Sequence, residues 1–406
     1  MFDNLLYQHS SKLIADDITS GTLPGAILLS GPAASGKLTC ALEIARILSC
    51  TGSKEHPTPG HWLCNCPSCL KNKELIHQNV LLAGSRECSL EILAAKKALL
   101  TAVYDNASYL PAARFFFLRA VRKLTMRFSQ TLWEDDDKAS KISPVIQNID
   151  ECLESLEPKA VLPAPEKLEK LCDKICDYCD KLESTFLYKS LPINQIRNAS
   201  SWAHLKSVAG KKVIIIENAE QMREAPRNAL LKILEEPPED TVFVLTTAHR
   251  GAIMQTILSR VRTYSFCERT PEQQAEVIDR VFHAAASFSG KTIEGYLQQF
   301  LPMQPDAVKQ VAFEYYQSIC TGKLMPPAAV VKNCAGFSSK FLFKIFLIGI
   351  QESCKNFDSP VATELFRKNS RSLLECYNNV SVYNQNPTAA LEKLTRDLAL
   401  NRRMVQ

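Results

Sequence analysis

The stretch Lys211–Phe266 constrains this chain most: an apolar run (VIIIEN), a helix written RNALLKILEEPP, a second apolar run (VFVLTT) and ILSRV follow in order. Val213–Glu217 and Val242–Thr247 have strand length and are strongly apolar, which suits strands covered on both faces of a parallel sheet. The helix between them stops at Pro237-Pro238, because proline lacks the N–H a helix needs and clashes with the turn before it. Upstream, Ala26–Ser30 (AILLS), Gly31–Lys37 (GPAASGK) and Lys37–Cys50 read as strand, glycine loop and helix, with Leu38, Ala41, Leu42, Ala45 and Leu48 on one helical face. Together these segments predict an α/β fold and point to a nucleotide-dependent machine rather than a metabolic enzyme.

Size and charge set the limits. At roughly 100–200 residues per domain, 406 residues that are 46% hydrophobic make room for two to four domains. The formal charge of +5, from 48 basic and 43 acidic groups, is too balanced for a polycationic binder, so any nucleic-acid contact would be local. The start MFDNLLYQHSSK has neither the basic nor the apolar part of a signal peptide, and FLFKIFLIGI is half a membrane span carrying Lys344. A cytoplasmic protein with no membrane partner is expected, and there fifteen cysteines favour thiols and metal ligands over disulfides.

A helical region, about 88–190, separates the two halves of the α/β pattern and reads as an insertion. Within it Phe117, Leu118, Val121, Leu124, Thr125 and Phe128 form one helical face while Arg119, Arg122, Lys123 and Arg127 gather on the other, a basic stripe able to bind phosphates or simply face water. Acidic Glu134–Asp137 lies close enough in sequence to neutralise it. Cys172, Cys176 and Cys179 share a face with Leu168 and Leu182, a pattern of buried apolar thiols rather than a metal site. After Arg262 helices dominate: Thr270-Pro271-Glu272 starts one with a capping residue and a proline, and Met325-Pro326-Pro327 is the expected break between a small helical domain and a terminal one.

Gly31-Pro-Ala-Ala-Ser-Gly36-Lys37 fits the glycine and lysine positions of a Walker A loop, whose backbone N–H groups and lysine meet phosphate oxygens. The residue after the lysine, which should be a hydroxyl holding Mg²⁺, is Leu38; Thr39 comes one position late, about 100° around the helix. At the end of the next strand, where a hydrolase places one carboxylate for the metal and another for water, the chain has Glu217-Asn218, and Glu220 reads as a solvated residue. Poor ATP hydrolysis is expected. Arg260, in Ser259-Arg260, fits either a surface ion pair or an arginine finger acting on a neighbour's γ-phosphate. Cys50, Cys64, Cys66 and Cys69 supply four thiolates, enough for one closed structural zinc site, with His56 and His61 as loop residues or substitute ligands.

FDNLLYQ, GPAASGK, the cysteine cluster, HQNVLLAG, INQIRN, KKVIIIENAEQM, NALLKILEEPPEDTVFVLTT and ILSR together resemble, in that order, bacterial clamp-loader AAA+ subunits of DNA polymerase III. The resemblance covers most of 1–266 apart from the insertion. It implies an AAA+ core over 1–266 with a zinc module about 50–69, a helical lid over 267–325 and a helical collar over 326–406. Implied partners are the gamma/tau and delta subunits, the sliding clamp and primer–template DNA within a DNA-directed DNA polymerase holoenzyme. Leu38, Glu217 and Asn218 match the degenerate delta-prime pattern better than the hydrolysing gamma/tau pattern, as does the lack of a Gly-Ser-x-Arg sensor, whereas Val261 replaces the usual cysteine. Carried over, Gly31, Gly36, Lys37, Thr39, Glu217 and Thr247 would contact nucleotide with its Mg²⁺, and Arg260 would be the finger. The alternatives are a gamma/tau-type ATPase motor in which Thr39 and Glu217 rescue magnesium binding, or a relative serving repair or DNA uptake.

Overall fold

A computed structural model describes residues 1–207, 210–284, 290, 292–355, 359–383 and 385–403. Its centre is a five-stranded parallel sheet of β1 (Ala26–Ser30), β2 (Val80–Ala83), β3 (Lys212–Ile216), β4 (Thr241–Thr247) and β5 (Arg262–Ser265), in the order β2-β3-β4-β1-β5. Strands β1, β3 and β4 coincide with the three apolar runs. The edge strands β2 and β5 were not legible as strands, because four residues show no period. Ser259-Arg260 lies between β4 and β5.

Side-chain alternation divides the sheet into two faces. Ile27, Leu29, Leu82, Val213, Ile215, Val242 and Val244 pack against α1 (Ser10–Thr19) and α2 (Lys37–Leu48). Beyond α2 comes the short α3 (Pro67–Lys73). Leu28, Leu81, Ala83, Ile214, Ile216, Phe243 and Leu245 belong to a second core built with the helices between β2 and β3. These are α4 (Ser89–Tyr104), α5 (Leu110–Thr125), α6 (Ala139–Glu154), α7 (Pro165–Lys181) and α8 (Ile193–His204). They are not an appendage, for Phe117, Val121, Ile149, Cys172 and Cys179 share one buried cluster with the strands. The expected apolar stripe of α5 is buried as read, apart from half-buried Thr125.

The basic side of that stripe requires a correction. Arg122 pairs with Glu157 and donates to Glu74 O at 3.0 Å, Lys123 pairs with Glu91, Arg119 donates to Lys73 O, and Arg127 donates to Gly84 O at 2.9 Å and pairs with Glu217. The counter-charges are Glu91, Glu157 and Glu217, not the acidic run at Glu134–Asp137. A helical wheel separates apolar from polar faces but does not say whether a polar face meets water or another element's carboxylates; here it binds the helices to the α/β core.

After β3, α9 (Glu224–Glu235) ends just before Pro237-Pro238, and α10 (Gln255–Leu258) precedes Arg260. α11 (Pro271–Phe282) begins with the expected cap: Thr270 and Gln273 bond reciprocally to each other's backbone N–H. α12 (Ile293–Gln298) follows.

The chain forms two compact units, 1–296 and 297–406. The second contains α13 (Pro305–Thr321), α14 (Pro327–Asn333), α15 (Lys340–Ser353), α16 (Pro360–Ser381) and α17 (Pro387–Arg403). The apolar run FLFKIFLIGI is α15, the buried centre of this unit, where Gly349 lets the backbone approach Lys309 and Ala312 of α13 too closely for any side chain. Because α13 packs on α15, the sequence break at Met325-Pro326-Pro327 falls inside the second unit. Among the described residues no helix is long and apolar enough to cross a membrane.

Candidate functional site

The glycine loop joins β1 to α2 at the carboxyl end of the sheet. Gly36 caps α2 at φ 96°, and a Cβ there would lie 2.7 Å from Leu5 Cδ1. The loop hangs on β4 through Gly31 N–H donating to Thr247 O at 3.2 Å, while buried Thr247 Oγ1 accepts from His249 N at 3.0 Å. Lys37 Nζ turns back to Gly31 O at 2.6 Å, to Pro32 O and to Ser35 Oγ at 3.3 Å. Burial pulls its ammonium down to about 8, against the charges of Glu220 and Glu217. Leu38 is buried in the α2 core and Thr39 is half-buried. A residue without a sequence signal, buried Arg269, bridges the loop to the N-terminal segment, donating to Ala34 O at 2.8 Å and Leu6 O at 3.1 and 3.0 Å.

At the end of β3 both oxygens of Glu217 are taken up. Arg86 Nη1 donates to Oε1 at 3.1 Å and Arg127 Nη2 to Oε2. Burial works against ionisation, but the two guanidinium groups hold the carboxyl below its ordinary range. Glu217 is therefore a structural anion shared with the inserted helices. Gly84 passes so close that a Cβ would lie 2.3 Å from Glu217 O. Asn218 adopts the left-handed conformation (φ 52°, ψ 51°), which asparagine tolerates, and its Nδ2 donates to Ser85 O at 2.6 Å. A carboxylate could not make that bond. Glu220 corrects another expectation: it is 3% exposed, not solvated, with Oε1 accepting from Ala248 N at 3.3 Å and Oε2 making no hydrogen bond.

Arg260 stands at the other end of this layer. Its Nε and Nη2 donate to Glu235 Oε1 at 3.1 and 2.6 Å, and Nη1 donates to Thr256 O at 2.7 Å. The side chain is 31% exposed and its carboxylate partner more so, a surface pair of the sort that contributes roughly 0–1 kcal/mol.

The cysteine loop folds onto the far end of α2. The Sγ atoms of Cys50, Cys64, Cys66 and Cys69 all lie within 4.8 Å of one another, with Cys50 and Cys64 3.6 Å apart. Four thiolates about 2.3 Å from one zinc ion would be roughly 3.8 Å apart, so the set fits a closed tetrahedral site. Backbone N–H groups already point at two of the sulfurs, Gly52 N at Cys50 and Cys69 N at Cys66, both at 3.4 Å. His56 and His61 stack on each other, ring centroids 4.0 Å apart. Arg46, only 2% exposed, commits its whole guanidinium here: to Cys69 Sγ at 3.1 Å, Glu43 at 2.6–3.0 Å, His61 O at 3.1 Å and Gly60 O at 2.9 Å. α2 thus carries Lys37 at one end and Arg46 near the other. In contrast, Cys172 and Cys179 are buried among apolar side chains, and burial pushes the Cys172 thiol up to about 12 and half-buried Cys176 to about 11.

A family model described as DNA polymerase III, delta subunit, matches residues 7–155 and 158–270, well over half the chain. The chain belongs to that family. A stretch of 77 residues, 19% of this chain, is 40% identical to DNA polymerase III subunit delta' of Bacillus subtilis and covers 22% of that protein. A stretch of 78 residues, also 19% of the chain, is 35% identical to the delta' subunit of Haemophilus influenzae, covering 24% of it. A longer one, 212 residues and 51% of the chain, is 24% identical to subunit tau of B. subtilis and covers 34% of it. The matches therefore span about a fifth to a third of these relatives' own lengths. Among solved structures, a gamma subunit-related protein of Thermotoga maritima aligns at 18% identity and TM-score 0.30 over 53% of this chain and 81% of its own. The chain is a relative of the gamma, tau and delta' clamp-loader subunits.

Proposed function

We propose that this chain is a delta-prime-like subunit of the DNA polymerase III clamp loader, which holds a nucleotide without hydrolysing it and presents Arg260 to the ATPase subunit beside it. The observation that carries the reading is the double capture of Glu217 by Arg86 and Arg127, with Asn218 spent on Ser85 O and Leu38 buried where a magnesium hydroxyl belongs. Neither Glu217 nor Asn218, the two residues at the strand end, is left with the acid–base role that hydrolysis needs. The gamma/tau-type motor is less well supported, since it would need Glu217 free for the metal. Arg260 is held by a surface pair with Glu235 and an exposed bond to Thr256 O, which a neighbour's phosphates would outcompete.

In this role the cysteine loop holds a structural zinc through Cys50, Cys64, Cys66 and Cys69, and of the lid and collar expected after 266 the collar is the compact unit 297–406. The partners are the gamma/tau and delta subunits and, through the complex, the sliding clamp and primer–template DNA in the cytoplasm; the delta' and tau names of the relatives support this. Phosphate release from ATP by the purified chain, with and without primed DNA, tests the reading. No turnover above the uncatalysed background is expected; brisk DNA-stimulated turnover that Lys37→Ala abolishes would restore the motor.

A further inference from the structure

The helices inserted between β2 and β3 reach past the sheet to α11. Tyr109, the residue that opens α5, stacks its ring on His283 with centroids 3.9 Å apart and planes 17° from parallel. Seven residues on, two turns along the same side of the helix, Phe116 meets Phe282 edge-on at 5.3 Å. Phe282 is the last residue of α11 and packs in turn on Tyr296, ring centroids 4.7 Å apart. Phe282 and Tyr296 are buried whereas Tyr109 and Phe116 are half-buried, so the two rings of α5 close over a small aromatic core that α11 does not cover by itself. His283 caps α11 in the left-handed conformation (φ 51°, ψ 41°), which histidine adopts more readily than most side chains.

The opposite end of α11 is tied down as well. Gln8 takes up both backbone groups of Cys267, its Nε2 donating to the carbonyl at 2.9 Å and its Oε1 accepting from the N–H at 3.0 Å. Arg269 donates to Leu6 O and Ala34 O, and Tyr7 Oη donates to Glu276 within α11. A helix swings about a few residues at its end that are free to change φ and ψ, and Cys267 and Arg269 are already committed. With 12 residues α11 has little helical stability of its own and takes it from packing, which at its C-terminal end comes from α5. We propose that α5 is a latch: through Tyr109 and Phe116 the inserted region fixes the orientation of α11 on the core. This goes beyond the proposed role and holds whether or not the glycine loop takes a nucleotide.

Hydrogen exchange of the full chain, followed by mass spectrometry, tests it. Amides of 274–283 should exchange roughly tenfold or more faster in Tyr109→Ala/Phe116→Ala than in the wild type, with those of β1, β3 and β4 unchanged. Tyr109→Phe, which keeps the ring, should retain wild-type protection. Unchanged exchange of 274–283 in the folded double variant overturns the latch. So does an acceleration spread equally over the strands, which would make the two rings ordinary parts of one cooperative core. If the double variant does not fold, His283→Asn decides, since asparagine tolerates the left-handed backbone while losing the ring. Selective acceleration of 274–283 there supports the latch, and unchanged exchange overturns it.

Discussion

Arg46 and Glu217 show how single buried charges organise this molecule. Arg46 donates to Cys69 Sγ from the helix that carries Lys37, which would make it an outer partner of the proposed zinc site. Outer partners of metal ligands typically matter by about 10–100-fold in affinity, and Arg46→Gln should lower zinc affinity by that order in competition with a chromogenic chelator. An unchanged affinity would make Arg46 merely a strut for the loop. Glu217→Gln should destabilise the chain by about 3–5 kcal/mol in urea denaturation, since it leaves the almost fully buried Arg127 without its anion. The strand end at Glu217 and the missing hydroxyl at Leu38 were legible in the sequence, because both are fixed by local pattern. The partners of Glu217 were not: Arg86 and Arg127 lie 131 and 90 residues away, and no period reports so distant a pairing.

At the scale of elements, the docking of α5 on α4 and the sheet depends on Glu91, which sits between Lys123 and Arg86. Burial opposes its ionisation, but the two cations lower its carboxyl from 4.5 to about 2. A folded-state value below the unfolded one stabilises fully above about pH 4.5, and that stabilisation fades as pH falls toward 2. Relative to Glu91→Gln, the wild-type chain should be more stable by on the order of 3 kcal/mol near neutrality, with the gap closing between about pH 4.5 and 2 in parallel denaturation curves. A constant gap across that range would show that Glu91 is not the titrating group. The sequence revealed the apolar side of α5 correctly and misplaced its basic side, because amphipathicity locates a core but not what covers the opposite face. The thiols of α7 were legible for the converse reason: their helical neighbours are leucines, and a shared apolar stripe does predict burial.

For the whole molecule, the helices of 88–190 share one buried cluster with strand residues such as Leu81, Ala83, Ile214 and Ile216, and their removal would open that cluster to water. A chain with this region replaced by a short linker should therefore elute as aggregates in size-exclusion chromatography; a soluble monomer with cooperative unfolding would mean that the sheet face is covered independently of these helices. The α/β class was readable from three apolar runs and one glycine loop. The division at 296/297 was not, since the proline-rich loop at Met325 marks the end of a helix and carries no information about which helices pack together.

In the proposed role this subunit acts on its neighbour's nucleotide and not on its own. ATP turnover by the reassembled clamp loader, with this chain as wild type, Arg260→Ala or Lys37→Ala, measures that claim directly. Arg260→Ala should leave the chain's own stability within about 1 kcal/mol, because it removes a surface pair and an exposed bond to Thr256 O, yet lower turnover by roughly 10³-fold at the neighbouring site. Lys37→Ala should leave that turnover in place. Undiminished turnover with Arg260→Ala, or its loss with Lys37→Ala alone, would contradict the account.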